Sequence, residues 1–195
     1  LFVPDGKAFY PPAFQTAVTV DRLTRRWEGV VRPTHFQGVT TVVTKLLNLV
    51  HPHRAYFGQK DYQQYVVIEQ MVEDLNIPVN IVRCPTVREA DGLALSSRNR
   101  FLGKDERGQA ALLYQALSAG KQCIAGGERN GGKVQKAMAK VFKKQRNVSI
   151  DYLAVCDGQT LEPLKRVASR AVLLGAIRIG TVRLIDNLLI RRSLS

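Results

Sequence analysis

Residues 55–75 have the sequence AYFGQKDYQQYVVIEQMVEDL, in which an apolar run stops at a glycine and an amphipathic segment begins. We predict a short strand over residues 54–57 and a helix over residues 62–76. A second apolar run, VNIVRC at residues 79–84, follows directly after Pro78. Strand, helix and strand joined by such short connections form a βαβ unit, which requires parallel strands and a right-handed crossover. The stretch therefore predicts an α/β fold.

The junction between this strand and helix is the first candidate site, and it consists of Gly58, Gln59, Lys60 and Asp61. Ligands of open α/β sheets bind at the carboxyl ends of the strands. Glycine lets a ligand approach the backbone and permits any dihedral angle, the first helical amides favour anions, and Lys60 adds a positive charge. We expect Asp61 to cap the helix or to accept a hydrogen bond from a ribose or a metal-bound water. The junction suits phosphate, although an ordinary strand-to-helix turn has the same residue types.

The second candidate site is the segment LSSRN at residues 95–99, in a polar loop after the βαβ unit. Leu93 and Leu95 are expected to pack this loop against the protein. Two serine hydroxyls would donate hydrogen bonds to a triphosphate, and Arg98 would neutralise charge that develops at the α-phosphate as pyrophosphate leaves. A plain polar turn is the alternative for this segment alone. Together with residues 58–61 at the same sheet edge, it favours a nucleotide site.

Four other polar residues are weaker candidates. Arg32 and His35 suit a phosphate or carboxylate, although such a pair is more often structural. Gln63 and Gln64 lie in the first turn of the predicted helix, and we expect at least one amide to point into the cleft and bind a second substrate. The histidine spacings predict no metal site.

The rest of the chain predicts a mixed first part and a small α+β second part. We expect strands over residues 1–4 and 14–20, with a turn at residues 5–12 between them. Apolar residues at helical spacing predict a helix over residues 39–50. Further elements are predicted after Gly103: helices over 104–125 and 133–146, a strand over 149–157 and one or two strands over 169–190.

Composition limits the function classes. The formal charge of +13 implies affinity for anions, including phosphates and nucleic acid. The three cysteines are far apart and lack CxxC spacing, which argues against a disulfide framework and a zinc site and favours a reducing cytoplasm. No segment has the roughly 20 consecutive apolar residues of a membrane-spanning helix. Aromatic residues are few and are not interleaved with basic ones, so nucleic-acid binding is the weaker alternative.

Four motifs together resemble the pantothenate synthetase family, also called pantoate–β-alanine ligase. They are FGQKDYQQ, CPTVREADGLALSSRNRFL, RPTHFQGVTTVVTKLLNLV and RLIDN, and the resemblance covers nearly the whole chain. It implies a Rossmann-like nucleotidyltransferase domain over residues 1–87 and a small α+β domain over residues 88–195. It also implies condensation of pantoate with β-alanine through a pantoyl-adenylate, with ATP carrying Mg²⁺, in a cytoplasmic homodimer that does not bind a membrane.

The resemblance also implies residue roles. Pantoate binding corresponds to Gln64, and Arg32 and His35 correspond to residues near the phosphate side of the site. The remaining matches are to residues that bind ATP, Val87 through its backbone: Gly58, Gln59, Lys60, Asp61, Val87, Leu95, Ser96, Ser97 and Arg98. Of these, Lys60, Ser96, Ser97 and Arg98 are the expected catalytic residues.

The chain departs from the family pattern in two ways. Thr34 replaces the glycine of a typical RPGHF motif, and a positive φ at a threonine would be strained. No PTMGALHEGH-like segment occurs in these residues, and in the family that segment supplies histidines that stabilise the adenylation transition state. We therefore expect the chain alone to be a poor enzyme or inactive. A catalytically silent, nucleotide-binding dimerisation module and an adenylating transferase with another acceptor remain alternatives.

Overall fold

The computed structural model describes residues 1–143, 145 and 147–190. Among these residues the helices are α1 Gly6–Phe9, α2 Glu28–Val31, α3 His35–Val50, α4 Tyr62–Asp74, α5 Lys104–Ala110, α6 Leu112–Ala125 and α7 Gly131–Lys140. The strands are β1 Arg54–Gly58, β2 Asn80–Cys84, β3 Val148–Asp157, β4 Ala171–Ile179 and β5 Val182–Leu189.

The predicted βαβ unit is confirmed. Strands β1 and β2 pair in parallel, from Arg54 opposite Asn80 to Gly58 opposite Cys84, and α4 connects them. Helix α3 packs beside α4 over an apolar cluster that contains Leu47, Ile68 and Met71. The carboxyl end of β1 and the start of α4 therefore meet at one edge of the parallel sheet, as the sequence predicts.

The second part of the chain forms a three-stranded antiparallel sheet in the order β3-β4-β5, which confirms the predicted α+β arrangement. Helices α6 and α7 cover one face of this sheet, where Leu117, Met138 and Leu173 are fully buried. On the other face, Tyr65 of α4 belongs to the same apolar cluster as Leu174 of β4. Helix α4 thus packs against both the parallel and the antiparallel parts of the fold.

The expected strands at the start of the chain are wrong. Residues 1–4 and 14–20 form no strand, and the expected turn contains the short helix α1, which Asp5 caps by accepting from the amides of Lys7 and Ala8. Backbone groups of Val18 are instead paired with side chains of α3. The Val18 amide donates to the Thr41 hydroxyl at 3.0 Å, and the Thr40 hydroxyl donates to the Val18 carbonyl at 2.6 Å. Such side-chain hydrogen bonds compete with a strand ladder.

Helix α3 begins earlier than predicted, at His35 rather than at residue 39. Thr34 precedes it with φ −94° and ψ −6°. This conformation is available to any residue, so the strain that a positive φ would cause at Thr34 does not arise.

Three other helices differ from their predicted bounds. Helix α4 ends at Asp74, and the single helix predicted over 104–125 is divided at Ala111 into α5 and α6. Helix α7 begins at Gly131 because the Asn130 side chain accepts from the Lys133 amide at 3.0 Å. It ends at Lys140, and part of the predicted remainder lies outside the described residues.

Candidate functional site

A cavity of about 380 Å³ lies where the start of α4, the loop after β2 and strand β5 converge. Ligand sites of small molecules commonly have volumes of a few hundred Å³. Nine of the residues singled out in the sequence line this cavity: Arg32, His35, Lys60, Asp61, Gln63, Gln64, Ser96, Ser97 and Arg98. The two candidate sites of the sequence, the junction after β1 and the LSSR segment, therefore share one cavity.

Four other candidates do not line this cavity: Gly58, Gln59, Val87 and Leu95. The Leu95 amide donates to the Val87 carbonyl at 2.9 Å, and both side chains are at least half exposed. Gly58 has φ −70° and ψ 131°, so the turn does not require a glycine for its backbone conformation. A Cβ atom added there would have no neighbour within 4 Å, so the space beside Gly58 is open.

Lys60 lies in a single 3-10 turn, Gln59–Asp61, between β1 and α4. Its ammonium is 3.9 Å from Asp61 Oδ1, and its side chain is largely buried. Asp61 precedes α4 but makes no side-chain capping hydrogen bond, so the expected cap is absent. The Asp61 carboxylate is instead directed to the cavity, where it is half exposed.

The LSSR segment lies in a loop whose backbone is held by local hydrogen bonds. Ser96 Oγ accepts from the Arg98 amide at 3.2 Å, and the Asn99 side chain donates to the Ala94 carbonyl at 3.1 Å. The expected packing is half correct, since Leu93 is buried whereas Leu95 is exposed. Arg98 is exposed and makes no ion pair within the described part of the chain.

The two adjacent glutamines differ in their surroundings. Gln63 is buried, and its amide donates to the carbonyls of Leu23 at 2.7 Å and Arg26 at 2.9 Å. Its side-chain oxygen, Oε1, accepts from the backbone amide of Glu28 at 3.0 Å. Gln63 is therefore used to hold the segment before α3, whereas the half-buried Gln64 faces the cavity without such contacts.

Arg32 and His35 form the side of the cavity between α2 and α3. Partial burial, followed by the nearby charge of Arg32, lowers the pKa of His35. A lowered pKa favours the neutral imidazole, which can accept a proton at one ring nitrogen and donate a hydrogen bond from the other.

Sequence reasoning missed the contribution of the antiparallel sheet to the cavity. Tyr152 of β3 and Arg183 of β5 both contact the carboxylate of Glu28, which is 8% exposed. Asp186 and Asn187 also line the cavity and are buried. The available signal was RLIDN, in which three polar residues interrupt an apolar strand, because strand interiors rarely contain unpaired polar side chains.

The charge balance of the cavity favours an anion. Arg183 neutralises Glu28, and Arg88 forms a two-bonded ion pair with Asp186. The cations that remain around the opening are Arg32, Lys60 and Arg98, and the remaining carboxylate is Asp61. Three cations with two serine hydroxyls are the groups that recognise phosphate.

Some types of site are not found in the described ranges. Residues 1–143, 145 and 147–190 contain no group of three or more histidine, cysteine or acidic side chains arranged to hold a metal. Over the same ranges, no helix has both the length and the apolar character needed to span a bilayer. All three cysteines are free thiols, and burial raises the pKa of Cys156 to about 12.

The chain is similar to a described sequence family and to curated proteins. A family model described as Pantoate-beta-alanine ligase matches residues 1–189. A pantothenate synthetase of Caldicellulosiruptor saccharolyticus is 50% identical over 190 residues, which are 97% of this chain and 68% of that protein. A pantothenate synthetase of Moorella thermoacetica is also 50% identical, over 97% of this chain and 67% of its own length.

Solved structures agree with these matches. Pantothenate synthetase from Thermus thermophilus superimposes with a TM-score of 0.93 and 45% identity, covering 97% of this chain and 68% of that one. A pantoate-beta-alanine ligase from Francisella tularensis, complexed with beta-gamma ATP and beta-alanine, gives a TM-score of 0.68 and 31% identity over 97% of this chain and 64% of its own. The chain belongs to the pantoate–β-alanine ligase family.

Proposed function

We propose that this chain binds ATP and pantoate in the cavity described above, as part of the ATP-dependent condensation of pantoate with β-alanine. The reaction proceeds through a pantoyl-adenylate and releases pyrophosphate and AMP. The observation that carries this proposal is that Lys60 and Arg98 line one cavity together with Gln64. The Francisella tularensis ligase, which was solved with ATP and beta-alanine, supports it.

In this proposal, three cations bind different parts of the ATP triphosphate. Lys60 and Arg98 bind the triphosphate from opposite segments, and Arg32 adds charge at the edge of the cavity. Hydroxyls of Ser96 and Ser97 donate hydrogen bonds to phosphate oxygens. Negative charge grows on the departing pyrophosphate as the pantoate carboxylate attacks the α-phosphate, so fixed cations lower the barrier of this step.

The residues proposed to bind adenosine and pantoate are assigned from the family resemblance. Two stretches of backbone hold the nucleoside, one around Gly58 and Gln59 and the other at Val87 and Leu95. These segments flank the cavity without lining it. Gln64 holds pantoate through its amide, because its neighbour Gln63 is already occupied by backbone groups. The acceptor amine of β-alanine then attacks the acyl carbon of the adenylate and displaces AMP.

Mg²⁺ enters this site as part of the substrate, bound to the phosphates of ATP. Magnesium in nucleotide sites is commonly held by substrate phosphates with one or two carboxylates and several waters. Asp61 fits such a role, because its carboxylate faces the cavity and is not used as a helix cap.

We also propose that the chain forms a homodimer, which sedimentation equilibrium tests.

Nucleic-acid binding is not favoured as an alternative. The family match accounts for the chain, and the cations of the cavity suit a triphosphate as well as a polynucleotide. Titration with single-stranded DNA at two salt concentrations separates the two ideas, because polynucleotide binding falls steeply with salt.

The main test compares Lys60→Ala with Lys136→Ala by isothermal titration with MgATP. Lys136 is an exposed lysine of α7, outside the cavity, and it controls for the loss of one positive charge. We expect Lys60→Ala to weaken MgATP binding about tenfold or more, because a charge-assisted bond to phosphate is lost, and Lys136→Ala to leave it unchanged. Equal affinity of both variants would remove the basis of the proposal.

Turnover is measured separately, as pyrophosphate released from ATP when pantoate is added and as pantothenate formed when β-alanine follows. Pantoate-dependent release supports adenylation. ATP binding without any release supports a catalytically silent nucleotide-binding module instead.

A further inference from the structure

Two adjacent residues of β5, Asp186 and Asn187, are almost completely buried beside the cavity, at 5% and 1% exposure. Buried polar side chains are costly unless every polar atom finds a partner. Both residues are fully bonded, and their partners lie on two different segments of the chain, far away in sequence. One of these segments contributes Lys60 to the cavity lining, and the other contributes Ser96–Arg98.

Asn187 holds the turn that contains Lys60. Its side-chain nitrogen, Nδ2, donates to the backbone carbonyls of Gln59 at 2.8 Å and Lys60 at 3.0 Å. Its side-chain oxygen accepts from the side-chain amide of Gln59, Nε2, at 3.2 Å. An asparagine is required for this pattern, because an aspartate would direct a second oxygen at two carbonyl oxygens.

Asp186 holds the hairpin that leads into the LSSR segment. Its two carboxylate oxygens accept from the guanidinium of Arg88, at 2.6 and 3.0 Å. Arg88 also donates to the Gly92 carbonyl at 3.0 Å and stacks on the Tyr114 ring. Backbone pairing of Arg88 with Ala94 closes this hairpin immediately before Ser96.

We infer that Asp186 and Asn187 are positioning residues, which fix the Lys60 turn and the Ser96–Arg98 loop relative to each other by bonding one segment each. Neighbouring strand residues point to opposite faces of a sheet, and their Cα atoms are about 3.8 Å apart. The two segments are therefore held from opposite sides of a single point in the antiparallel sheet. This inference rests on the proposed function for its consequence, the binding of one triphosphate by both segments.

The consequence for binding follows from geometry. A triphosphate bound from two sides requires the two sets of cations at a fixed separation, and misplacement by about 1 Å is enough to reduce catalysis about a hundredfold. Neither Asp186 nor Asn187 needs to contact the phosphates for this effect. Their substitution should weaken ATP binding more than adenosine binding, because each change leaves the nucleoside contacts of the other segment in place.

The test uses three variants of the whole chain. Asn187→Asp replaces the amide that holds the Lys60 turn, and Arg88→Lys keeps the charge beside Asp186 but loses the two-bonded geometry. Gln135→Glu is the matched control, since the Gln135 amide also donates to a backbone carbonyl of the sheet, that of Leu153 at 2.7 Å, away from the cavity. Hydrogen exchange without ligand and titrations with MgATP and with adenosine are the readouts.

We expect the two site variants to loosen different segments. Asn187→Asp should speed amide exchange over residues 59–64, and Arg88→Lys should speed it over residues 87–99, with Gln135→Glu affecting neither. MgATP affinity should fall about tenfold or more in both site variants. Adenosine affinity of Asn187→Asp should fall less than its MgATP affinity, because the nucleoside contacts assigned to Val87 and Leu95 lie outside the segment that Asn187 holds.

The outcomes separate this inference from the proposed function. Faster exchange throughout the chain, or unchanged MgATP affinity in Asn187→Asp and Arg88→Lys, would overturn the positioning role. If the unaltered chain does not bind MgATP but each variant loosens only its own segment, the positioning role stands and the proposed function fails. Arg88→Lys carries the test alone if Asn187→Asp does not fold.

Discussion

Tyr152 donates its phenolic hydrogen to Oε1 of Glu28 over 2.8 Å, across 124 residues of sequence. Both terminal nitrogens of Arg183 donate to the same carboxylate. Burial, and then the charge of Glu28, raises the pKa of the Tyr152 phenol, which keeps the phenol protonated as a donor. The short helix α2 is thereby tied to the antiparallel sheet at the wall of the cavity.

Substitution of Glu28 by glutamine should destabilise the fold. The change removes the charge that faces Arg183 and leaves a buried guanidinium with Asp151 as its remaining partner. Loss of one member of a buried ion pair is strongly destabilising, and we expect the free energy of unfolding to fall by about 2–4 kcal/mol. Urea denaturation followed by circular dichroism measures it.

Asp21→Asn is the control for that experiment. Asp21 pairs with Arg25 over 2.6 Å, but both side chains are about two-thirds exposed, at 65% and 70%. Exposed pairs contribute little, so the free energy of unfolding should change by about 0.5 kcal/mol or less. Similar losses for Asp21→Asn and Glu28→Gln would show that burial of the Glu28 network adds nothing to stability.

A second prediction concerns Gly92, in the hairpin before the LSSR segment. Gly92 has φ +91°, and a Cβ atom added there would lie 2.1 Å from the Tyr114 ring. Because Tyr114 also stacks on Arg88, the ring cannot move without disturbing the ion pair with Asp186. Gly92→Ala should lower the free energy of unfolding by about 1–3 kcal/mol through overpacking and backbone strain, measured by urea denaturation.

Gly108 provides the opposite case for the same substitution. It lies inside α5, and a Cβ atom added there has no neighbour within 4 Å. Alanine is the better helix former, so Gly108→Ala should raise the free energy of unfolding by about 0.5–1 kcal/mol. If both glycine variants shift stability in the same direction, the role assigned to the Gly92 conformation is wrong.

The local parts of this fold could be predicted from sequence, because periodicity and turn residues are local signals. The βαβ unit around Gly58 and the antiparallel sheet follow from such patterns. The predicted strand over residues 14–20 is wrong because its alternating pattern does not reveal that hydroxyls of α3 bind its backbone. An alternating stretch specifies a strand only where a partner strand is available.

The candidate site could be predicted only for residues on local motifs. Lys60 and Arg98 were found because each lies in a polar segment directly after an apolar strand or loop. Asn187 and Glu28 were not, since their partners are more than 100 residues away and no local pattern encodes those contacts. Long-range side-chain pairing is decided by the packing of the two sheets around α4, which appears only in three dimensions.

The lowered pKa of His35 predicts a pH dependence of stability. Burial, and then Arg32, holds the folded-state pKa below the unfolded value, so the unfolded chain binds the proton first as the pH falls. His35 therefore contributes stability that is fully present above about pH 6.5 and is lost as the pH falls through the folded-state pKa. In His35→Gln, the difference in urea midpoint between pH 7.5 and pH 5.5 should shrink.

The matched control for this titration is His53→Gln, because His53 is exposed outside the cavity. Its substitution should leave the pH dependence of the urea midpoint as it is in the unaltered chain. If His35→Gln also retains the full difference, then other groups cause the pH dependence and His35 does not.

The last prediction separates Arg98 from its neighbour Arg100. Both are exposed arginines of one loop, but Arg98 lines the cavity whereas Arg100 stacks on the Phe101 ring, with 4.8 Å between guanidinium and ring centroid. Arg98→Ala should weaken MgATP binding about tenfold and leave the unfolding free energy within about 0.5 kcal/mol, because an exposed side chain contributes little to folding. Arg100→Ala removes the same charge from the same loop and should leave MgATP affinity within about twofold. If Arg100→Ala weakens MgATP binding as much as Arg98→Ala, then the general positive potential of the loop attracts the nucleotide, and Arg98 has no specific contact with it.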